Sequence, residues 1–150
     1  MKLAEALILR ADLQRRLAQL QRRLFANAKV QKGETPAEDP EALLAELDAL
    51  TAQLASLMTR INLTNAKTFD GGETMTALLA QRDCLRTKEN ALREFLSEAS
   101  SVVMRGTRSE VIVKSTVSVA ALQKRSDALS KELRELDTRI QSLNWTTEID

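Results

Sequence analysis

One stretch, Glu41 to Asn65, constrains this chain more than any other. It reads EALLAELDALTAQLASLMTRINLTN, with Leu43, Leu47, Leu50, Leu54, Leu57 and Ile61 at alternating steps of four and three. On a helix that spacing draws one apolar stripe, a heptad seam, and the stripe is stable in water only against another helix. The rest of the chain must therefore supply helices of similar length.

Residues 2–29 predict the first of them, with Leu3, Ala6, Arg10, Leu13, Leu17, Leu20 and Leu24 on its seam and Arg10 the polar member. At about 1.5 Å per residue such a helix is roughly 40 Å long. Residues 31–40, QKGETPAEDP, hold one glycine and both prolines, which marks a turn. Asp39 suits an N-cap and Pro40 the first helical position, where its missing N–H costs nothing. Two long helices joined this closely fold back as an antiparallel hairpin. Charge agrees. Residues 2–29 carry seven basic groups against two acidic, a net of +5, and residues 34–66 carry six acidic against one basic, a net of −5. The arginine cluster is read as a basic helix lying beside an acidic one rather than as a nucleic-acid surface.

Beyond this, TFDGGETM at 68–75 predicts a break at Gly71-Gly72, with Thr74 or Thr76 capping the next helix. That third helix is expected over 76–100, its seam marked by Leu78, Leu85, Leu92, Leu96 and Ala99, with Arg82 and Glu89 at positions that ought to be apolar. Residues 102–117 collect β-branched residues around Gly106 and are expected to be irregular or to form a short β segment, as a small hairpin or against another subunit. The last helix is expected over 118–143 on Leu122, Leu129, Leu133, Leu136, Ile140 and Leu143, with Ser126 interrupting the seam. Trp145 is expected to tack the tail down. The fold class is all-α: long antiparallel helical hairpins, coiled-coil-like, with four main helices in one domain over 1–150. Residues 1–66 form the first hairpin, and 74–150 a second helical pair with a linker at 101–117.

Chemistry is scarce. The chain has no histidine, which removes the commonest general base and transition-metal ligand, and one cysteine, which excludes a thiolate metal cluster within a chain. A lone cysteine suits a reducing cytoplasm. The N-terminus reads as a helix start rather than a signal peptide, and there is no 18-residue apolar run to span a membrane. With a net charge of +1 no global field steers the chain to nucleic acid or an anionic surface. Asp70 and Glu73 offer at most a loose hold on a hard cation, without the calcium-loop pattern. Cys84 has Lys88 one turn later, a setting that lowers a thiol's pKa in some proteins, but it also fits an ordinary cysteine flanking a seam. No metal, cofactor or catalytic residue is expected.

Polar residues near the hairpin ends are the principal site candidates. Glu5, Arg10, Asn62, Asn65, Arg82 and Asp83 would meet if the third helix begins beside the end of the first hairpin. Such a network either fixes register or holds a polar or anionic ligand, and the register reading is the simpler. Arg105, Arg108 and Lys114, around an RGTR loop, form a weaker candidate for phosphate contacts. A long antiparallel hairpin is similar in outline to the arms that some synthetases lay on transfer RNA, but this chain lacks the aromatics that stack on bases.

Several phrases together resemble a known family: the opening KLAEALILRADLQRRL, RINLTNA at 60–66, TALLAQRD at 76–83, RSE at 108–110 and STVSVAALQKRSDALSKELRELDTRIQSLNW at 115–145. They look like the septicolysin family, small helical bacterial proteins also catalogued as a domain of unknown function. The resemblance covers essentially the whole chain. It implies an all-helical cytoplasmic protein without established catalytic or binding residues, and the family name implies membrane activity. The residues themselves point to a non-enzymatic structural or protein-interaction module that self-assembles as a dimer or higher homo-oligomer. Another protein is a further partner, ahead of nucleic acid or membrane.

Overall fold

A computed structural model describes residues 1–101 and 112–149, and they are all-α with one minimal hairpin of strands. The first helix, α1, is Leu3–Ala26 and the second, α2, is Pro40–Lys67. Two-residue strands come next, β1 Phe69–Asp70 and β2 Glu73–Thr74, then α3 at Met75–Ser100 and α4 at Val119–Thr146. The expected strand character of 102–117 falls mostly outside the described residues, and the described part, 112–117, is not strand.

Helix ends obey local chemistry. At the start of α1 the Lys2 N–H donates to the Glu5 carboxylate at 2.7 Å. The helix stops at Ala26, three residues short of Lys29, because Asn27 turns its side chain back on the backbone. Its Nδ2 donates to the Arg23 carbonyl at 2.8 Å, and its Oδ1 accepts from the Glu38 N–H at 2.9 Å. Asp39 caps α2 by accepting from the Glu41 N–H at 3.1 Å, with Pro40 at the first position as expected. Gly71 and Gly72 take φ of +60° and +85°, the two left-handed positions that a two-residue hairpin turn requires. Ser118 caps α4 through the Ala121 N–H.

The chain forms two compact units. The first holds residues 1–75 and 142–150, the second 76–141, so the last turn of α4 belongs to the first unit. In the first, α1 and α2 pack as an antiparallel hairpin, and Leu3, Leu20, Ile61 and Met75 are fully buried. Burying a leucine this completely contributes about 2 kcal/mol. The tail returns to the start of α1: the Leu3 N–H donates to the Thr147 carbonyl and the Ile149 N–H to the Met1 carbonyl, both at 2.9 Å. Ile149 is the residue that pins it, being 5% exposed, whereas Trp145 is 55% exposed. The expectation for Trp145 is thereby corrected. α4 continues through 146, and on that last turn Asn144 points inward and Trp145 outward. In the second unit, Glu89 meets Ser130 and Arg86 meets Asp137, so α3 and α4 run antiparallel.

Candidate functional site

The six polar candidates divide between the units. Glu5 is engaged with its own helix start, Arg10 and Asn65 are half-buried, and Asn62 is exposed. Arg82, its side chain 21% exposed, donates to Asp83 at 2.8 Å and lies 4.0 Å from Asp137. Among the described residues no hydrogen bond or ion pair joins any other two of the six. Arg105 and Arg108 lie outside the described residues. Lys114 is exposed and borders a hollow of about 200 Å³ with Phe95, Glu98 and Val113. Another hollow, of about 260 Å³, is lined by Arg60, Leu63, Thr64, Lys67, Thr68 and Glu148. Among the described residues no three Asp, Glu or Cys side chains are grouped to hold a metal, and no helix is long and apolar enough to cross a membrane.

What the hairpins do offer is edges. Letter the α1–α2 seam so that Ala6, Leu13, Leu20, Leu43, Leu50 and Leu57 are d positions; all six are buried. The a positions along the middle of the hairpin, Arg10, Leu17, Leu24, Leu47 and Leu54, are only half-buried, whereas Leu3 and Ile61, the a positions at its open end, are fully buried. Turning one helix end for end brings e edges beside e edges and g edges beside g edges. The g edge carries the strongest cross-helix polar contact: Arg23 donates to Glu46 at 3.2 Å and to Glu38, in the connection, at 2.6 Å. That hydrogen bond draws the Glu38 carboxyl below the ordinary carboxylate range. On the opposite edge the half-buried a positions run into Leu44 and Met58, which are 43% and 40% exposed. This edge is apolar and open.

The α3–α4 hairpin repeats the arrangement with the edges exchanged. Here Ser126, Leu133 and Ile140 are a positions and Leu129 and Leu136 d positions, all buried on α4. The a/e edge is closed by polar bonds. Glu89, its side chain 12% exposed at an a position, accepts from the Ser130 hydroxyl at 2.7 Å and from Arg93 at 2.8 Å. The Ser130 bond first, and Arg93 second, hold Glu89 below the usual carboxylate range. Arg86 pairs with Asp137 at 3.2 Å. Glu89 thus has a structural partner that its seam position alone did not reveal. The g edge stays open along Lys88–Phe95 and Leu122–Glu132, with two adjoining hollows of about 290 and 200 Å³ that share Lys88 and Arg125. Leu92 and Leu122 floor the first and Leu129 the second, and Phe95, 48% exposed, stands at the rim.

Comparison with known proteins gives a family and a close structure. A family model described as a family of unknown function (DUF6847) matches residues 10–149. The chain is similar to a crystal structure of a functionally unknown conserved protein from Corynebacterium diphtheriae, with a TM-score of 0.93 and 40% identity over 100% of this chain and 99% of that one. No curated protein matches. These findings overturn the resemblance to septicolysins, to which neither points. The phrases that suggested it are mostly Leu, Ala, Arg and Gln in helical spacing, a pattern any long hairpin must carry.

Proposed function

This chain belongs to the DUF6847 family of unknown function, and from that premise we propose that it is a non-enzymatic helical module that binds protein and assembles with copies of itself. One observation carries the reading: each hairpin closes one edge with ion pairs and hydrogen bonds and leaves half-exposed leucines along the other, an apolar edge in α1–α2 and one rimmed by Lys88, Arg125 and Glu132 in α3–α4. Leucines at heptad spacing that stay half-exposed in the folded chain retain the drive to bury against another helix. Arg23 is tied across the hairpin to Glu38 and Glu46, which supports helix pairing over phosphate binding as the use of this arginine. The exposed thiol of Cys84 suits a reducing, cytoplasmic setting.

Size-exclusion chromatography with light scattering, recorded at 260 and 280 nm, tests the proposal. The expected result is a defined oligomer with the absorbance ratio of pure protein. A single-chain mass at every concentration overturns self-assembly. A peak rich in 260 nm absorbance that shrinks with salt replaces the reading with nucleic-acid binding.

A further inference from the structure

We propose that two copies meet through the open g edge of the α3–α4 hairpin, with α4 of one copy lying antiparallel across α4 of the other. The inference rests on the self-assembly reading and names its surface and partner. The face is two helices wide. α3 contributes Lys88, Ala91 and Phe95, and α4 contributes Arg125, Ala128 and Glu132, all bordering the two adjoining hollows.

Within one copy this face is electrostatically unfinished. The pairs Glu89–Ser130 and Arg86–Asp137 set the register, and it places Lys88 across from Glu132 and Phe95 across from Arg125. Opposed g positions of opposite charge usually bond, yet here the hollow separates them. The side chains of Lys88, Arg125 and Glu132 make no hydrogen bond or ion pair among the described residues. By contrast, the other edge of the same hairpin is tied across the helices by Glu89–Ser130 and Arg86–Asp137.

A second copy completes what the first leaves open. Arg125 and Glu132 are seven residues apart, about two turns, so they project from the same side of α4 roughly 10 Å apart. Turn a copy of α4 about a two-fold axis near Ala128, and Arg125 meets the partner's Glu132 while Glu132 meets the partner's Arg125. The guanidinium–carboxylate fork makes this the strongest pairing the face offers. On α3 the same axis passes near Ala91 and lays Lys88 over the ring of the partner's Phe95, a cation on a π face. Ala91 and Ala128 at the centre present no bulk, so the backbones approach and cover Leu92, Leu122 and the exposed ring. A face built from two turns of each of two helices is small for a specific interface, so association is expected to be reversible and concentration-dependent.

Charge exchange tests this directly in the full chain. Arg125→Glu and Glu132→Arg, both at exposed positions, should each keep the helical circular dichroism and raise the dimer dissociation constant on the order of tenfold or more. An equimolar mixture of the two single variants should recover dimerisation, since the acidic face of one then meets the basic face of the other. In a Cys84→Ser background, Ala128→Cys should form an interchain disulfide under mild oxidation, because the two-fold axis brings that position beside itself. A wild-type chain that is monomeric throughout sinks self-assembly and this inference together. An oligomer indifferent to both charge variants, with no cross-link at 128, overturns this inference alone. So does an oligomer that Leu47→Arg dissolves while the α4 variants do not.

Discussion

Alanine substitution along α2 separates the covered seam from the open one. Leu50 is 3% exposed at the centre of the d layer, whereas Leu54, one step along the same helix, is half-buried in the a layer. Leucine to alanine removes three carbons, about 2.4 kcal/mol of transfer free energy when the side chain is fully buried. At Leu50 the packed surroundings cannot collapse into the space, and the cavity raises the total to about 3–4 kcal/mol. At Leu54 water reaches the vacated volume, so roughly half the transfer term and no cavity term is expected, about 1 kcal/mol. Urea titration followed by helical circular dichroism, at low micromolar chain, measures both. A difference of about 2 kcal/mol, with Leu50→Ala the worse, is the expected outcome. Equal losses in dilute solution would refute the argument, because they would mean that the a layer is already covered within one chain.

Three further outcomes are expected from the same geometry. Ile149→Ala should cost about 2–3 kcal/mol by urea titration and speed hydrogen exchange at the Leu3 amide, which donates to Thr147 in the adjoining tail. Trp145→Ala should cost much less. Glu38, Glu89 and Glu148 are each held below the ordinary carboxylate value by hydrogen bonds, from Arg23, Ser130 and Lys2 respectively. Folding therefore keeps these carboxylates charged, and their stabilisation is fully present above the unfolded value of about 4.3 and lost as pH falls through their lowered values. Thermal melts should hold level from pH 7 to about 5 and drop below about 4, with a smaller drop in Glu89→Gln. Gly72→Ala places a side chain at φ +85° with open space around it, so backbone strain alone should cost about 1 kcal/mol, read from the melting temperature.

Much of the fold was legible from residues. Alternating steps of three and four placed four helices, Asp39-Pro40 marked the start of α2, and Gly71-Gly72 marked the turn after it. These are local signals, set by neighbours a few residues away, and local chemistry suffices to read them. The end of α1 was misplaced because Asn27 stops the helix through Glu38, a partner eleven residues on. Ile149 was overlooked in favour of Trp145 because size suggested an anchor, whereas burial depends on which way the last turn of α4 faces. The candidate site was less legible still. Arg82 and Asp83 do bond, but Glu89, which looked like a flaw in a seam, found Ser130 across the hairpin.

By itself, the sequence determined the helices, their breaks and their antiparallel pairing, because heptad spacing allows few other ways to hide leucine. It did not determine that the d layer of α1–α2 would be covered ahead of the middle of its a layer, or which edge of each hairpin would be closed. Polar partners from opposite helices settle which flank closes beside the covered seam. In α1–α2 that flank is closed by Arg23 and Glu46, in α3–α4 by Glu89 with Ser130 and Arg86 with Asp137. Those distances exist only once the helices are in register, and so the open edges on which the proposed assembly depends were decided by the tertiary structure.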